Sequence, residues 1–194
     1  MINAVIMASG YSKRMGQNKL LLNYKEKTFI EHLINTLISL NFSNIVLVAK
    51  DERVLSIGKE KGIIVIENKK PYLGQSESLK LGVEYLKEGD YMFFTGDQPL
   101  LNKEVIETLI NEGKRHKDYI IIPRVQGHRA HPTIFPRLYR EDLLSIEGDT
   151  GGRAVIKKYP HRVKEVDMKD GLPFIDIDTN EEYLNLIKGV FKNV

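Results

Sequence analysis

Short apolar runs alternate along the chain with longer amphipathic stretches, and this alternation limits the possible folds more than any other feature. Five of the runs are continuous and rich in Val, Ile and aromatic residues, which is typical of buried strands. They are Ala4–Met7, Ile45–Val48, Ile63–Ile66, Tyr91–Thr95 and Tyr119–Ile122. Strands that alternate with helices predict an α/β fold, with a Rossmann-like, mostly parallel sheet and helices on both faces.

The stretches between these runs carry apolar residues at helical spacing. Thr28–Leu40 is the clearest case, and its Thr28 and Glu31 have the spacing of a capping box. Thr179 and Glu182 form a second such pair near the other end of the chain. The remaining predicted helices are Ser76–Leu86, Lys103–Lys114, Arg140–Ile146 and Glu181–Phe191.

The regular pattern loosens from about residue 124, where the remaining strand-like runs are shorter and flanked by prolines and glycines. These runs are Thr133–Phe135, Val163–Val166 and Phe174–Ile177. No linker divides the chain, and 194 residues are ample for one core. We therefore predict a single domain over residues 1–194, with a substrate-facing insertion at about 124–174.

Charge and cysteine content exclude several classes of protein. The chain has 29 Lys and Arg against 26 Asp and Glu, without a basic tail, so neither nucleic acid nor a membrane is expected as a partner. The absence of Cys excludes disulfides, thiolate zinc sites and cysteine nucleophiles. No apolar run approaches the ~20 residues of a membrane span, and no signal peptide is recognisable. We therefore predict a cytoplasmic protein.

The segment after the first predicted strand combines small residues with cations. Ala8, Ser9 and Gly10 let a ligand approach the backbone, whose free amides can bind an anion. Arg14 offers a planar guanidinium to phosphate oxygens, and Lys19 offers a point charge. The spacing fits neither a Walker A loop nor a dinucleotide fingerprint. We interpret the segment as a triphosphate site; the alternative is a solvated glycine loop.

The segment MASGYSKRMGQNKLLL, residues 7–22, resembles the L-A-A-G-x-S-x-R-M-G-x-x-K-L-L-L motif of small nucleotidyltransferases with a GT-A-like fold. Two further segments resemble motifs of that family. They are Gly74–Leu79, which resembles G-x-S-x-S-L near the base and ribose, and Gly96–Pro99, which resembles the G-D-x-P metal motif. The resemblance is strongest to the molybdenum cofactor branch, whose members join a nucleotide to molybdopterin and release pyrophosphate.

Three later segments resemble the cytidylyltransferases of that branch. They are His131–Phe135, Gly148–Arg153 and Asp176–Thr179, which resemble H-P-V-L-F, G-D-x-G-A-R and D-I-D-T. Gly152 stands where Ala is usual, and Ser9 stands where the cytidylyl branch has Ala and the guanylyl branch has Gly. The resemblance implies transfer of CMP from CTP to the phosphate of molybdopterin, with Mg²⁺ as cofactor and a molybdenum hydroxylase as recipient of the product.

The resemblance also implies roles for individual residues. The catalytic residues are Arg14, Lys19 and Asp97. The nucleotide-binding residues are Ala8, Ser9, Gly10, Arg14, Lys19, Ser76, Ser78 and Asp97. The metal ligands are Asp97 and Asp178, with Asp176 a weaker candidate, and the substrate-binding residues are His131, Asp149 and Arg153.

Each of these roles has a structural alternative. Asp97 and Asp178 can instead cap the helices that follow them, although Asn102 and Thr179 are better placed for those caps. Ser76 can cap the helix that it begins, and Pro132 can make His131 part of a turn. A metal cluster of His128, Arg129 and His131 is weakly supported, and Tyr72, Tyr85, Tyr91 and Tyr119 are expected in the core.

Alternative functions also remain at this level. The chain can be a guanylyltransferase, or a transferase of the same fold that acts on a sugar phosphate, methylerythritol phosphate or phospholactate. A non-catalytic protein that delivers the cofactor is a further alternative, although the intact Asp97, Asp178, Arg14 and Lys19 favour catalysis.

Overall fold

A central sheet of eight strands organises the computed structural model, which describes residues 1–191. The strands are β1 (Ile2–Ala8), β2 (Asn23–Tyr24), β3 (Lys27–Thr28), β4 (Ile45–Ala49), β5 (Ile64–Glu67), β6 (Asp90–Thr95), β7 (Ile120–Val125), β8 (His128–Arg129), β9 (Thr133–Phe135) and β10 (Val163–Met168). The helices are α1 (Phe29–Ile38), α2 (Glu52–Glu60), α3 (Gln75–Tyr85), α4 (Lys103–Arg115), α5 (Arg140–Ser145), α6 (Arg153–Lys158) and α7 (Asn180–Ile187).

The strand order is β10-β7-β9-β6-β1-β4-β5, with β8 paired to β7 and with β2 and β3 forming a separate pair. Strand β1 pairs in parallel with β4 and β6, β4 with β5, and β7 with β10. Strand β9 is antiparallel to both of its neighbours. The mostly parallel α/β sheet predicted from the sequence is therefore confirmed.

Successive residues of the central strands pack on opposite faces of the sheet, as strand geometry requires. Ile6 and Phe94 belong to the core beneath α1, α2 and α4, whereas Val5 and Phe93 belong to the core beneath α3, α5 and α6. Strands buried on both faces read as continuous apolar runs, which explains why they are recognisable in the sequence.

Side-chain caps fix the starts of the main helices. Both predicted capping boxes are present: Thr28 accepts from the amide of Glu31, and Thr179 accepts from the amide of Glu182. Asn102 caps α4 by accepting from the Val105 amide at 3.0 Å. These contacts leave the carboxylates of Asp97 and Asp178 available for other partners.

Three expectations about local structure are wrong, and two helices are missing from the prediction. Phe174–Ile177 is not a strand, because its one backbone hydrogen bond to a neighbouring segment among residues 1–191 joins the Ile177 amide to the carbonyl of Asp97. Helices α2 and α6 are absent from the predicted set. Tyr72 and Tyr85 are 71% and 54% exposed, since Tyr72 lies on a surface turn and Tyr85 ends α3.

Three strands of the predicted insertion, β8, β9 and β10, pair within the central sheet. The substrate-facing role of residues 124–174 remains a prediction. Among the helices within residues 1–191, none combines the length and the apolar character that crossing a membrane would require.

Candidate active site

A cleft of about 810 Å³ opens where β1 and β6 end, at the carboxyl edge of the sheet. Parallel strands bring their carboxyl ends to one edge, so segments far apart in the chain meet there. The cleft is lined by nearly all of the site residues predicted from the sequence: Ala8, Ser9, Gly10, Arg14, Lys19, Ser78, Asp97, His131, Asp149, Arg153 and Asp178. Ser76 is the exception.

The segment after β1 is held in place by its own polar contacts. The Ser9 hydroxyl donates to the Val48 carbonyl at 3.4 Å. The Lys19 amide donates to the Ser12 hydroxyl at 3.3 Å, and Asn18 caps the short 3₁₀ turn that carries Lys19. Met15 is buried and anchors the middle of the segment. The segment therefore wraps around the cleft with Lys19 directed inward.

One lysine joins the two carboxylates predicted as metal ligands. The Lys19 ammonium donates to Asp97 Oδ2 and to Asp178 Oδ1, both at 2.6 Å. Arg14 Nη2 donates to Asp178 Oδ2 at 2.9 Å. The Lys19 side chain is 13% exposed and that of Arg14 is 70% exposed. The four residues thus form one charge network, with Lys19 inside it and Arg14 at its solvent side.

The charges of this network shift the pKa values of its members. Burial acts to lower the pKa of Lys19, but the nearby carboxylates of Asp97 and Asp178 outweigh burial and raise it. Burial acts to raise the pKa of Asp178, but Lys19 and Arg14 hold it below its usual value. The lysine and the aspartate therefore stay charged at neutral pH.

Asp176 differs from the other two carboxylates. Burial, followed by the neighbouring charge of Asp97, raises the pKa of Asp176 to about 7. Its carboxyl lines the cleft beside the charge network. The residue that the sequence ranked below Asp178 is thus part of the same site.

The carboxylates fit a magnesium ion. Asp97 Oδ1 is buried without a hydrogen-bond partner, although carboxylate oxygens in a protein interior normally have one. Mg²⁺ is commonly held by one or two carboxylates together with water and phosphate oxygens. Residues 1–191 contain no group of three or more His, Cys, Asp or Glu arranged for a metal, so His128, Arg129 and His131 form no cluster.

The two serines predicted to bind nucleotide have different positions at the start of α3. Ser78 lines the cleft, and its hydroxyl accepts from the buried Asn68 side chain at 3.0 Å. Ser76 faces away from the cleft and its hydroxyl donates to the Leu73 carbonyl at 3.5 Å. Its predicted contact with the nucleotide is therefore not supported by its placement, and the helix begins after Gly74 without a side-chain cap from Ser76.

The predicted substrate-side residues, His131, Asp149 and Arg153, line the same cleft. Burial lowers the pKa of His131, and its Nδ1 atom is buried without a hydrogen-bond partner. Arg153 is the first residue of α6, and it is exposed. Asp149 Oδ1 accepts from the backbone amide of Gln75 at 3.0 Å, so this carboxylate binds the start of α3.

Sequence reasoning missed further lining residues in the segment after β5. Pro71, Tyr72 and Gln75 line the cleft, but Tyr72 was expected in the core and the other two were given no role. The position of this segment is the signal that could have found them, because it follows a parallel strand at the carboxyl edge.

An α/β sheet whose carboxyl edge gathers cations and carboxylates around one cleft is typical of nucleotidyltransferases. Residues 4–163 match the model of the MobA-like NTP transferase domain, and the chain belongs to that family.

Curated relatives are named as molybdenum cofactor enzymes. A "probable molybdenum cofactor guanylyltransferase" of Natranaerobius thermophilus is 31% identical over 129 residues, which are 66% of this chain and 62% of the relative. A protein of the same name from Clostridium perfringens strain 13 is 29% identical over 198 residues, covering 96% of each chain. The first match thus spans less than two thirds of the relative, and the second spans nearly all of it.

Solved structures share the fold at low sequence identity. Rv0371c of Mycobacterium tuberculosis superposes with a TM-score of 0.81 at 22% identity, covering 96% of this chain and 97% of that chain. Its complex with manganese gives 0.79 at 21% identity, covering 96% and 98%. Molybdopterin-guanine dinucleotide biosynthesis protein A of Archaeoglobus fulgidus gives 0.72 at 18% identity, covering 100% of both chains. The GT-A-like nucleotidyltransferase fold predicted from the sequence is therefore confirmed.

Proposed function

We propose that this protein transfers a nucleotidyl group from a nucleoside triphosphate to the terminal phosphate of molybdopterin. The single observation that carries the proposal is the network of Arg14, Lys19, Asp97 and Asp178 at the cleft. At one edge of the sheet, cations that can bind a triphosphate lie beside carboxylates that can bind a divalent ion. Nucleotidyl transfer requires both kinds of group close to the reacting phosphates. Molybdopterin as acceptor is supported by the names of the curated relatives.

We propose GTP as the nucleotide in place of the CTP expected from the sequence. The curated relatives that align over 95% and 96% of this chain are named as probable molybdenum cofactor guanylyltransferases. The aspartates of the motifs that predicted CTP have protein partners in the structure: Asp178 binds Lys19 and Arg14, and Asp149 binds the amide of Gln75. These aspartates therefore carry little information about which base is bound.

In this proposal the reaction requires little proton chemistry. A phosphate oxygen of molybdopterin bonds to the α-phosphorus of the nucleotide, the bond from that phosphorus to the bridging oxygen breaks, and pyrophosphate leaves with its electron pair. Both reactants are anionic, so positioning and charge neutralisation supply most of the rate enhancement. Lys19 and Arg14 bind the β- and γ-phosphates and stabilise the charge that develops on pyrophosphate.

Asp97 and Asp178 would hold Mg²⁺ in the proposed enzyme. When bound, Mg²⁺ would neutralise negative charge on the phosphate oxygens of the nucleotide. Ala8 at the end of β1 and the following Ser9 and Gly10 line the cleft and bind the nucleotide in this proposal, and Ser78 contacts its base or ribose. His131 and Arg153 bind the pterin substrate on the other side, and a molybdenum hydroxylase remains the expected recipient of the product.

A pyrophosphate-release assay tests the proposal. Purified protein is combined with Mg²⁺, molybdopterin and either GTP, CTP, ATP or UTP, and each nucleotide is also tested with glucose 1-phosphate and with methylerythritol phosphate. We expect release that requires molybdopterin and is fastest with GTP. Faster release with CTP would restore the cytidylyl assignment, and release with a sugar phosphate alone would contradict the acceptor.

A further inference from the structure

A short segment, residues 148–152, contributes Asp149 to the lining of the cleft and contacts the start of α3. We name it the strap. Asp149 Oδ1 accepts from the Gln75 amide at 3.0 Å. The backbones also meet: a Cβ atom on Gly74 would lie 2.7 Å from the carbonyl carbon and oxygen of Gly148. Gly74 has φ +89°, so a side chain there would be strained as well as crowded.

The other end of the strap is fixed against the sheet. A Cβ atom on Gly152 would lie 2.6 Å from Cζ of Phe135, which is buried in β9. This close approach explains why Gly stands where related sequences usually have Ala. Arg153 follows directly and begins α6. The strap therefore runs from the nucleotide side of the cleft to the residue expected to bind the pterin.

Helix α3 has no side-chain cap from the residue before it, so the Asp149 contact serves as its cap. The position before Gln75 is Gly74, which has no side chain, and no side chain caps the helix from that position. First-turn amides of a helix need an acceptor from elsewhere, and a negative charge there is favourable. Asp149 supplies both from a position 74 residues along the chain.

We propose that Asp149 is a positioning residue that couples the two sides of the cleft, an inference that rests on the function proposed above. Its carboxylate fixes the start of α3, and thereby Gln75 and Ser78 on the nucleotide side. Through the strap it also fixes Arg153 on the substrate side. Asp149 itself binds no substrate in this assignment, which replaces the role expected for it from the sequence.

The first test needs neither nucleotide nor pterin. Hydrogen–deuterium exchange of the α3 amides is compared in the native protein, Asp149→Ala and Asp149→Asn. Loss of the cap should speed exchange in the first turn of α3 about fivefold or more, whereas Asn keeps an acceptor oxygen and should restore most of the protection. Unchanged exchange in the Ala variant overturns the proposal, whatever reaction the protein catalyses.

The matched control is Asn102→Ala. Asn102 caps α4 through a bond of the same length, 3.0 Å to the Val105 amide, and does not line the cleft. Its removal should speed exchange in α4 and leave α3 unchanged.

The second test separates positioning from direct substrate contact. Asp149→Ala should raise both the Kd for GTP and the KM for molybdopterin about three- to tenfold, and Asp149→Asn should restore both. A rise in the molybdopterin KM alone, equal in both variants, would show direct contact and overturn the proposal. The Kd for GTP is measured without molybdopterin. The GTP measurement therefore tests the role of Asp149 even if molybdopterin is not the acceptor substrate.

Discussion

At the scale of single residues, the site depends on charges that neutralise one another across long chain separations. Lys19 lies between Asp97 and Asp178, which are 78 and 159 residues away from it. Two carboxylates this close to one position repel each other unless a cation lies between them. The lysine therefore balances the charge of the site when no metal or triphosphate is bound.

Replacement of Asp97 by Asn should abolish most of the activity and leave the fold intact. Asp97 Oδ1 has no hydrogen-bond partner among the described residues, and Asn is close in size to Asp and keeps an oxygen that can accept from Lys19, so the change removes a proposed metal ligand and little packing. We expect pyrophosphate release to fall on the order of 100-fold or more at saturating nucleotide. The control is Asp167→Asn, which makes the same change on an exposed residue of β10. Near-native turnover in Asp97→Asn would remove this residue from the metal site.

Replacement of Arg153 by Ala should affect one substrate only. Arg153 lines the cleft and makes no ion pair with any of residues 1–191 that would give it a structural role. We expect the KM for molybdopterin to rise about tenfold or more, as for the loss of a charge-assisted contact, while the Kd for GTP stays within twofold. Initial rates with each substrate varied in turn decide the point. A weaker GTP affinity with an unchanged molybdopterin KM contradicts the assignment.

At the scale of elements, a helix can pack closely on the sheet only where its residue at the contact is small. The structure shows which glycines are needed for this reason. A Cβ atom on Gly82, in the middle of α3, would lie 2.5 Å from Cγ1 of Val5 in β1. A Cβ atom on Gly113, inside α4, would lie no closer than 3.5 Å to Ile134. Both glycines lie within helices, but only the first is required by its neighbour.

These two glycines allow a matched pair of substitutions. Gly82→Ala should lower the free energy of unfolding by about 1–3 kcal/mol, because the added methyl group pushes α3 away from β1. Gly113→Ala should leave stability unchanged or raise it by up to about 1 kcal/mol through better helix propensity. Urea unfolding of both variants measures the difference. Equal changes in the free energy of unfolding for the two variants would show that the effect of Ala at position 82 comes from helix propensity and not from packing against β1.

The start of α2 should make stability depend on acidic pH. Asp51 caps α2 through the Arg53 amide at 2.9 Å, and it also bonds the side chains of Arg53 and Asn18. The Arg53 hydrogen bond is the main cause that lowers the pKa of Asp51 to about 2. Since this pKa lies below that of the unfolded chain, the folded protein binds fewer protons. The stabilisation is therefore full above about pH 4 and is lost as the pH falls towards 2.

Urea unfolding of the native protein and of Asp51→Asn, at pH 7 and at pH 2.5, tests this pH dependence. The native protein should be more stable by about 1 kcal/mol at pH 7, and the difference should shrink at pH 2.5 because Asn does not titrate. A difference that is the same at both pH values would show that the ionised form of Asp51 contributes nothing.

At the scale of the whole molecule, the parallel sheet sets the position of the site. Strands β1 and β6 end at one edge, and the segments after them supply the cations and the first carboxylate. Asp178 arrives from the opposite end of the sequence on a segment without regular structure. A ligand that contacts all of these segments should stabilise the molecule as a unit.

Thermal unfolding with nucleotide and Mg²⁺ measures this stabilisation. A ligand at 100 times its Kd adds about 2.7 kcal/mol, which corresponds to a Tm increase of roughly 5–10 °C for a chain of this size. We expect the increase to be larger with GTP than with CTP, and to be lost in Asp97→Asn. A larger increase with CTP would contradict the proposed base.

The sequence by itself determined the α/β class, the buried strands and two capping boxes, and it singled out many of the residues that line the cleft. These follow from local rules: strands buried on both faces are continuous apolar runs, and caps are set by residues three positions apart. The same rules failed for Phe174–Ile177, an apolar segment that pairs with no strand.

Only the tertiary structure decided which of these residues meet. The bonds of Lys19 to Asp178 and of Asp149 to the first amide of α3 depend on the mutual positions of distant segments. The exposure of Tyr72 and the need for Gly at positions 82 and 152 are decided in the same way. The physical reason is that packing and burial arise where two segments meet, and the sequence of either segment alone does not show which other segment it meets.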